Sequence, residues 1–307
     1  MAAYENPAKP LIKSLFVMAA MVEARDSYTG GHLWRVSQYS RILAEYGGLP
    51  PNVVARISLG GYLHDLGKIS VPDAILNKKD VLTAEEYAII KTHPEVGSRL
   101  LSDHPLAGLT GNAVIQHHET FDGLGYPHGL AGDQISLDGS IVSICDAFDA
   151  MTSTRPYRKG MSIEYALAQI QADLGRQFHP EWSKKFIELG GAGFFKHIVG
   201  HSEPGMTLQE CPICGPTIVI SKKHRHGDRV YCRACGSEAL LQKENSSISV
   251  KITGRKGSAK NLMPEINNDL LDDLVQESSK YISISTPHSG SDWYRQLRIL
   301  FRLLLPR

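Results

Sequence analysis

Histidine and aspartate side chains at seven positions in the first half of the chain could together bind metal. Imidazole nitrogens and carboxylate oxygens are common ligands of first-row divalent ions. Seven ligands are too many for one such ion but suit two, and a pair of ions about 3.5–4 Å apart is a common device for hydrolysing phosphoesters. Neighbouring helical residues point about 100° apart, so a doublet can reach both ions of a pair. The seven residues are His32, His64, Asp65, His93, His117, His118 and Asp146.

An isolated histidine more often serves structure than metal binding, and that interpretation is adequate for several other histidines of the chain. It is hard to sustain for two doublets accompanied by matching single residues. The histidines set aside on this ground are His104, His128, His179, His197, His201 and His288.

Four cysteines form a second candidate metal site. Cys211 and Cys214 make one CxxC pair, Cys232 and Cys235 make another, and 17 residues separate the pairs. A glycine after each pair permits a tight turn, and four thiolates on two such turns suit a closed tetrahedral zinc site, as in a zinc ribbon. A rubredoxin-like iron site and a redox dithiol pair are the alternatives. The spacing favours metal binding in a reducing cytoplasm over disulfides.

Short motifs follow one another in a fixed order along the first part of the chain. The series runs through Thr29-Gly30-Gly31-His32, His64-Asp65-Leu66-Gly67-Lys68, His117-His118-Glu119, Gly125-Tyr126-Pro127, Asp146-Ala147-Phe148-Asp149 and Arg155-Pro156-Tyr157-Arg158. Each motif is weak by itself, but their order is very specific. The series resembles the HD-GYP domain family over about residues 10–190.

The resemblance implies a bacterial all-α HD-domain helical bundle that hydrolyses cyclic di-GMP. By this analogy Asp65 would bridge two divalent ions, with reduced iron or manganese preferred, and a hydroxide held between them would attack phosphorus. The other ligands of the first ion would be His32, His64 and Asp146, and those of the second His93, His117 and His118.

The same resemblance implies roles for residues around the metals. Lys68, one helical turn from the first doublet, would contact a phosphate oxygen or assist the leaving group. Arg155 and Arg158 would meet the other charged oxygens, unless they are solvated surface residues. Tyr126 would stack or hydrogen-bond at one lip of the substrate cleft. Tyr28 stands where some family members place a glutamate for a third metal, so two metals are expected.

Apolar residues at helical spacing predict the elements that position these side chains. Thr83 and Glu86 form a predicted capping box at the start of one helix. Helices are predicted over about 10–27, 32–46, 51–64, 106–118, 139–152, 162–174 and 180–190, and short strands over 217–221 and 229–231.

Composition divides the chain into a predicted HD-GYP domain (1–204), a zinc ribbon (205–245), a largely flexible linker (246–290) and a basic amphipathic helix (291–307). Residues 1–204 hold 18 Lys and Arg against 22 Asp and Glu, and the remainder holds 15 against 10. The basic loop 222–229 lacks aromatic residues for base stacking, which disfavours nucleic acid and favours a protein-interaction or regulatory module. The terminal helix could bind a membrane surface, a groove of a partner protein or the rest of its own chain.

The resemblance implies a metal-dependent cyclic di-GMP phosphodiesterase. The cytoplasm is the expected location, because no run of about 18 apolar residues could span a membrane and the cysteine pairs favour a reducing compartment. An HD phosphohydrolase for another cyclic dinucleotide or nucleotide is the enzymatic alternative. The non-enzymatic alternative is a scaffold whose GYP loop docks signalling proteins such as diguanylate cyclases. The intact ligand set and Lys68 favour an enzyme.

Overall fold

Helices make up most of the chain up to residue 191 in the computed structural model, which describes residues 6–26, 30–78, 80–154, 158–215, 217–244, 247–263 and 265–283. The predicted helices are present, and Thr83 and Glu86 form the predicted capping box. The helices are α1 (Ala8–Glu23), α2 (His32–Tyr46), α3 (Pro51–Leu63), α4 (Asp73–Leu76), α5 (Ala84–Ile90), α6 (His93–Leu101), α7 (Ala107–Gln116), α8 (Leu137–Thr152), α9 (Ile163–Ala172) and α10 (Pro180–Gly191).

Helix α3 lies at the centre of this helical domain and contacts α1, α2, α7 and α8. Two glycines near its end allow the close packing. A Cβ on Gly60 would lie 2.5 Å from Cβ of Ala113 in α7, and one on Gly61 would lie 3.0 Å from Oγ of Ser40 in α2. Because neither glycine has a side chain, the end of α3 approaches both neighbours closely. This packing brings His64, which follows α3, near the end of α7.

Short antiparallel strands follow the helical domain, and we call residues 201–256 the cysteine module. Its strands form two two-stranded sheets and one three-stranded sheet of order β5–β6–β7. A separate apolar cluster, which includes Met206, Ile218, Val230 and Leu241, forms its core. The strands are β1 (His201–Glu203), β2 (Met206–Thr207), β3 (Gln209–Glu210), β4 (Thr217–Ile218), β5 (Arg229–Tyr231), β6 (Ser237–Glu244) and β7 (Ser247–Lys256).

The described residues 247–263 and 265–283 differ from the prediction of a flexible linker over 246–290, because they contain a strand and a helix. Strand β7 pairs with β6 along most of its length, and its alternate residues Ile248, Val250 and Ile252 pack on the core of the cysteine module. Helix α11 (Asn268–Ser278) contacts α1 and buries Leu271, Leu274 and Val275 in the core of the helical domain. Short apolar patterns in a polar segment are therefore sufficient for a strand and a helix, because β7 pairs with β6 and α11 packs on α1.

Asn6 and Lys13 fix the end of the described chain to its beginning. The Asn6 side chain donates to the carbonyl oxygens of Ser279 and Ile282 at 2.6 and 2.8 Å, and Lys13 forms an ion pair with Asp272. The predicted basic helix over 291–307 lies outside the described residues. None of the described helices is long and apolar enough to cross a bilayer.

Candidate metal centre

The seven predicted ligands meet at one place in the helical domain, and most of them stand at helix ends. His32 begins α2 and His93 begins α6, whereas His64 follows α3 and His117 follows α7. Asp146 instead projects from the middle of α8. Helix ends let the chain present two consecutive ligands, as it does with each of the two doublets.

Three ligand atoms surround a first position. His32 Nε2 lies 3.3 Å from His64 Nε2. The Asp146 Oδ1 atom lies 3.5 Å from the first of these nitrogens and 3.7 Å from the second. Donors bound at about 2.0–2.2 Å to a common ion are about 3–3.6 Å apart, so these spacings fit one divalent ion.

Three histidines surround a second position. The Nε2 atoms of His93 and His117 are 3.1 Å apart. The ring of His118 lies 5.1 Å from that of His93 and 4.1 Å from that of His117, measured between centroids. One nitrogen from each of the three falls within 4.8 Å of the other two, so together they could hold one ion.

Asp65 lies between the two positions and turns one oxygen towards each. Its Oδ2 atom is 3.5 Å from His32 Nε2 and 3.4 Å from His64 Nε2, and its Oδ1 atom is 3.4 Å from His93 Nε2. This is the arrangement of a carboxylate that bridges two ions. Lys68 Nζ also contacts Asp65 Oδ2, at 2.6 Å.

Three of the imidazoles are oriented by backbone carbonyl groups three residues earlier in the chain. Because a carbonyl only accepts, each Nδ1 carries the proton and each Nε2 presents a lone pair to the site. The contact between the Nε2 atoms of His93 and His117 is therefore not a hydrogen bond between neutral rings, and a cation between them would satisfy both lone pairs. The donor–acceptor pairs are His64–Gly61, His93–Ile90 and His117–Val114, at 2.7, 2.8 and 2.9 Å.

Burial controls the protonation of the second set of histidines. It lowers the pKa of His93 to about 3 and that of His118 to about 4, in spite of nearby carboxylates such as that of Asp65. It also holds the pKa of His117 well below its usual value. The three rings are therefore neutral at pH 7, which is the form that binds metal.

His32 is oriented by a carboxylate instead. Asp149 Oδ2 lies 2.8 Å from His32 Nδ1, and Arg35 donates to both oxygens of Asp149, from Nε at 2.6 Å and from Nη2 at 3.0 Å. Burial lowers the pKa of His32, but the hydrogen bonds with Asp149 and Asp65 outweigh it and raise the pKa to about 9. No sequence motif indicated this role of Asp149, although its position three residues after Asp146 puts both on one side of α8.

A family model described as an HD domain matches residues 16–181, which is more than half of the chain. The chain belongs to the HD domain family. The predicted resemblance is thus confirmed at the level of the HD domain, and the seven side chains described above lie within the matched residues.

Three curated relatives share this similarity. The chain is 39% identical over 181 residues to a cyclic di-GMP phosphodiesterase of Thermotoga maritima, covering 58% of this chain and 49% of the relative. It is 40% identical to the cyclic di-GMP phosphodiesterase response regulator RpfG of Xanthomonas campestris pv. campestris, covering 55% and 45%. It is 38% identical to the 3'3'-cGAMP-specific phosphodiesterase 2 of Vibrio cholerae, covering 57% and 33%. The chain spans half or less of the length of these relatives.

The loop that contains Gly125-Tyr126-Pro127, which we call the GYP loop, lies against the second set of histidines. The Tyr126 ring stacks on His118, with centroids 4.7 Å apart and planes inclined by 27°. Glu119 is buried beneath the loop and accepts hydrogen bonds from the backbone N–H groups of His128 and Leu130, at 2.7 and 3.0 Å. Sequence reasoning missed this role of Glu119, although a carboxylate directly after a ligand doublet was a signal for it.

The structure describes only one of the two arginines that were predicted to contact substrate. Arg158 Nη2 donates to the carbonyl oxygen of Ala150 at 2.6 Å, which places its guanidinium beside α8. Its contact with substrate stays a prediction. Arg155 lies outside the described residues.

The four paired cysteines come together next to the HD domain. The Sγ atoms of Cys211 and Cys235 are 3.7 Å apart and those of Cys214 and Cys232 are 3.5 Å apart. A disulfide would need about 2.05 Å, whereas four sulfurs at about 2.3 Å from one tetrahedral ion are about 3.8 Å apart. The four cysteines therefore fit one ion.

Each pair of cysteines stands on a tight turn that a glycine closes. The N–H of Gly215 donates to the Cys211 carbonyl at 2.9 Å with φ +85°, and that of Gly236 donates to the Cys232 carbonyl at 2.8 Å with φ +74°. The predicted glycine turns are present, because only glycine adopts this left-handed region without strain.

Proposed function

We propose that the chain is a metal-dependent cyclic di-GMP phosphodiesterase of the HD-GYP type. The observation that carries this proposal is the position of Asp65, which turns one oxygen towards His32 and His64 and the other towards His93. Two ligand sets joined by a carboxylate are what a two-metal phosphodiesterase needs. Relatives that bear this name at 39 and 40% identity support the choice of substrate.

The donor set suits two divalent ions of iron or manganese, with zinc and nickel as further choices. When bound, such a pair activates water and neutralises charge that develops on the phosphate. Asp65 would bridge the ions, and the remaining six predicted ligands would divide three and three, as their spacing indicates.

Lys68 would supply the mobile positive charge of the site. Burial lowers its pKa, but the neighbouring Asp65 carboxylate outweighs burial and raises it, so the ammonium group stays protonated at neutral pH. Ions bound to Asp65 would compete with this ion pair. Lys68 would then be available to donate to a phosphate oxygen or to the leaving oxygen.

Tyr126 would form one lip of the substrate cleft. Its ring already stacks on His118, and Lys91 Nζ lies 5.5 Å from its centroid. A flat aromatic ring and a cation next to the metal ligands suit a purine base and its phosphate. Arg155 and Arg158 remain candidates for the other phosphate oxygens.

A second candidate substrate is 3'3'-cGAMP, because a relative named for that specificity is 38% identical to the chain. The deciding experiment is product analysis with cyclic di-GMP, 3'3'-cGAMP and cyclic di-AMP on metal-loaded protein. We expect cyclic di-GMP to be hydrolysed fastest. Preferred hydrolysis of 3'3'-cGAMP would favour the second candidate, and binding without turnover of any substrate would favour the scaffold.

His64→Ala and Asp65→Ala should abolish hydrolysis while the helical content stays unchanged. The matched control is His197→Ala, since His197 is an exposed histidine outside the ligand set. Turnover that survives in both ligand variants would contradict the proposal.

The cysteine module would hold one structural zinc through Cys211, Cys214, Cys232 and Cys235, as in a zinc ribbon. The proposal is supported by the spacing of the four sulfurs and by the two glycine turns. Elemental analysis of the full chain should find one zinc that is lost in Cys214→Ser.

A further inference from the structure

A cleft of about 490 Å³ lies between the HD domain and the cysteine module. Helices α1 and α2 form one wall, and β5 and the turn that carries Arg233 form the opposite wall. Helix α11, with residues 260–263 and 265–267, closes a third side. Small-molecule sites commonly have volumes of about 300–1,000 Å³. None of the seven ligands of the candidate metal centre lines this cleft.

Aromatic and aliphatic side chains form the apolar part of the cleft. Trp34 and Tyr62 of the HD domain and Leu271 of α11 are nearly buried there, and Tyr231 of β5 is half-buried at the opposite wall. A planar organic group would gain contact area against these side chains.

Two cations that line the cleft lack a counter-ion in contact. Among the residues that the structure describes, the side chains of Arg233 and Lys260 have no hydrogen-bond or salt-bridge partner. Lys223 and Arg229 also line the cleft, but each forms an ion pair with a residue that does not. Lys223 pairs with Asp269 at 3.2 Å, and Arg229 pairs with Glu238 at 3.8 Å. Arg233 is half-buried and permanently charged, so an anion that contacted it would satisfy several donors at once.

None of the described carboxylates that line the cleft forms a hydrogen bond with Arg233. Glu23 accepts a hydrogen bond from the N–H of Leu33, and Glu203 accepts one from the N–H of Lys222 at 2.8 Å. Glu23 and Glu265 act on Arg233 only through space. The cleft therefore keeps a guanidinium that no described carboxylate contacts directly.

We propose that this cleft binds a small organic phosphate, with the phosphate at Arg233 and Lys260 and the planar part against Tyr231. A guanidinium matches phosphate oxygens in a bidentate manner, and a second cation on another element strengthens the contact. The site is separate from the metal centre and does not depend on the proposed hydrolysis.

The test is calorimetric titration of the full-length protein with GMP, AMP and inorganic phosphate. We expect saturable binding of a nucleotide that Arg233→Ala weakens at least tenfold and that Lys260→Ala also weakens. Arg255→Ala is the matched control, because Arg255 is an exposed arginine of β7 outside the cleft and should bind as the wild type does. Asp65→Ala should also bind normally, since the cleft does not contain the metal centre.

Three results would overturn the proposal. The first is the absence of binding of all three probes to the wild type. The second is undiminished binding to Arg233→Ala that still contains zinc. The third is binding that Asp65→Ala abolishes, because it would place the ligand at the metal centre. If Arg233→Ala loses its zinc, the Lys260→Ala variant becomes the deciding test. Nucleotide binding to Lys260→Ala that equals wild-type binding would then contradict the proposal.

Discussion

Asp149 and His32 form a buried pair in which the carboxylate Oδ2 lies 2.8 Å from the imidazole Nδ1. Neither residue is more than 3% exposed. Arg35 holds the same carboxylate through two further hydrogen bonds. A carboxylate behind a metal-binding imidazole fixes the ring and strengthens its free nitrogen as a ligand. Asp149 is thus a positioning residue for His32.

Asp149→Asn should weaken both metal binding and the fold. We expect the affinity for the ion at His32, measured above pH 9 where the ring is neutral in both proteins, to fall about 10–100-fold, because the amide orients the ring less firmly. The free energy of unfolding should fall by about 3–5 kcal/mol, because Arg35 would be left as an unpaired buried charge. Metal titration and chemical denaturation measure the two effects.

The double variant Asp149→Asn/Arg35→Gln separates these effects. It removes the unpaired charge, so part of the lost stability should return while the metal affinity stays low. Wild-type metal affinity in Asp149→Asn alone would show that the pair does not support the ligand.

Metal binding at the two positions should depend differently on pH. Since hydrogen bonds with Asp149 and Asp65 outweigh burial and raise the pKa of His32 to about 9, the ring is protonated at pH 7 and must lose a proton to bind. Affinity for that ion should rise about tenfold per pH unit up to about pH 9 and then level off. Burial lowers the pKa of His93 to about 3 and of His118 to about 4, so the second ion displaces no histidine proton near pH 7.

Calorimetry in buffers of different ionisation enthalpy measures these protons directly. We expect about one proton released at pH 7 by the ion at His32 and none from the histidines of the other set. The second ion serves as the internal control. Equal proton release at both positions would contradict the assignment of a charged His32.

Glu119→Gln should loosen the GYP loop without removing metal. The carboxylate accepts from two backbone N–H groups, of His128 and Leu130, and an amide can accept with only one oxygen. Leaving one buried donor unpaired costs about 1–3 kcal/mol locally. We expect a higher KM, faster proteolysis within residues 121–135 and unchanged metal content. Glu95→Gln, at an exposed glutamate of α6, is the control and should resemble the wild type.

Cys214→Ser should unfold the cysteine module and leave the helices folded. The two parts have separate apolar clusters, and the small one has few residues to stabilise it without metal. Hydrogen exchange should become fast in β5–β7 and stay slow in α2, α3 and α8. Cys145→Ala is the control, since Cys145 is buried in the core of the helical domain and should keep zinc. Protected strands in Cys214→Ser would argue against a structural ion.

Local signals in the sequence were sufficient to predict most helices and to single out the seven side chains that converge in the helical domain. Helix α2 runs from His32 to Tyr46 as predicted, because its apolar residues repeat at helical spacing between flanking glycines. Those side chains could be singled out because each is a residue type that can bind metal. Their convergence through Gly60 and Gly61 of α3 needed the structure.

Contacts between distant parts of the chain explain what the sequence did not reveal. Asp149 lies 117 residues from His32 along the chain, so nothing local indicated their pairing. Helix α11 looks weak by itself and depends on a surface made elsewhere, because it packs on α1. Strand β7 depends on a nearer one, because it pairs with the preceding strand β6. Isolated short helices and hairpins are marginally stable in water. The polar composition of this segment therefore suggested a linker, because it did not reveal the surfaces that stabilise α11 and β7.

The three imidazoles that donate to carbonyl groups of Gly61, Ile90 and Val114 have a consequence for the order of binding. These carbonyls belong to the final turns of α3, α5 and α7, so the negative ends of three helices, each equivalent to about half an electron, lie at the site, whereas α2 and α6 begin there with their positive ends. Three negative ends against two positive ones leave a backbone field that favours cations over a polyanion. Metal loading should therefore precede substrate entry, and a chelator should abolish nucleotide binding at this centre as well as turnover.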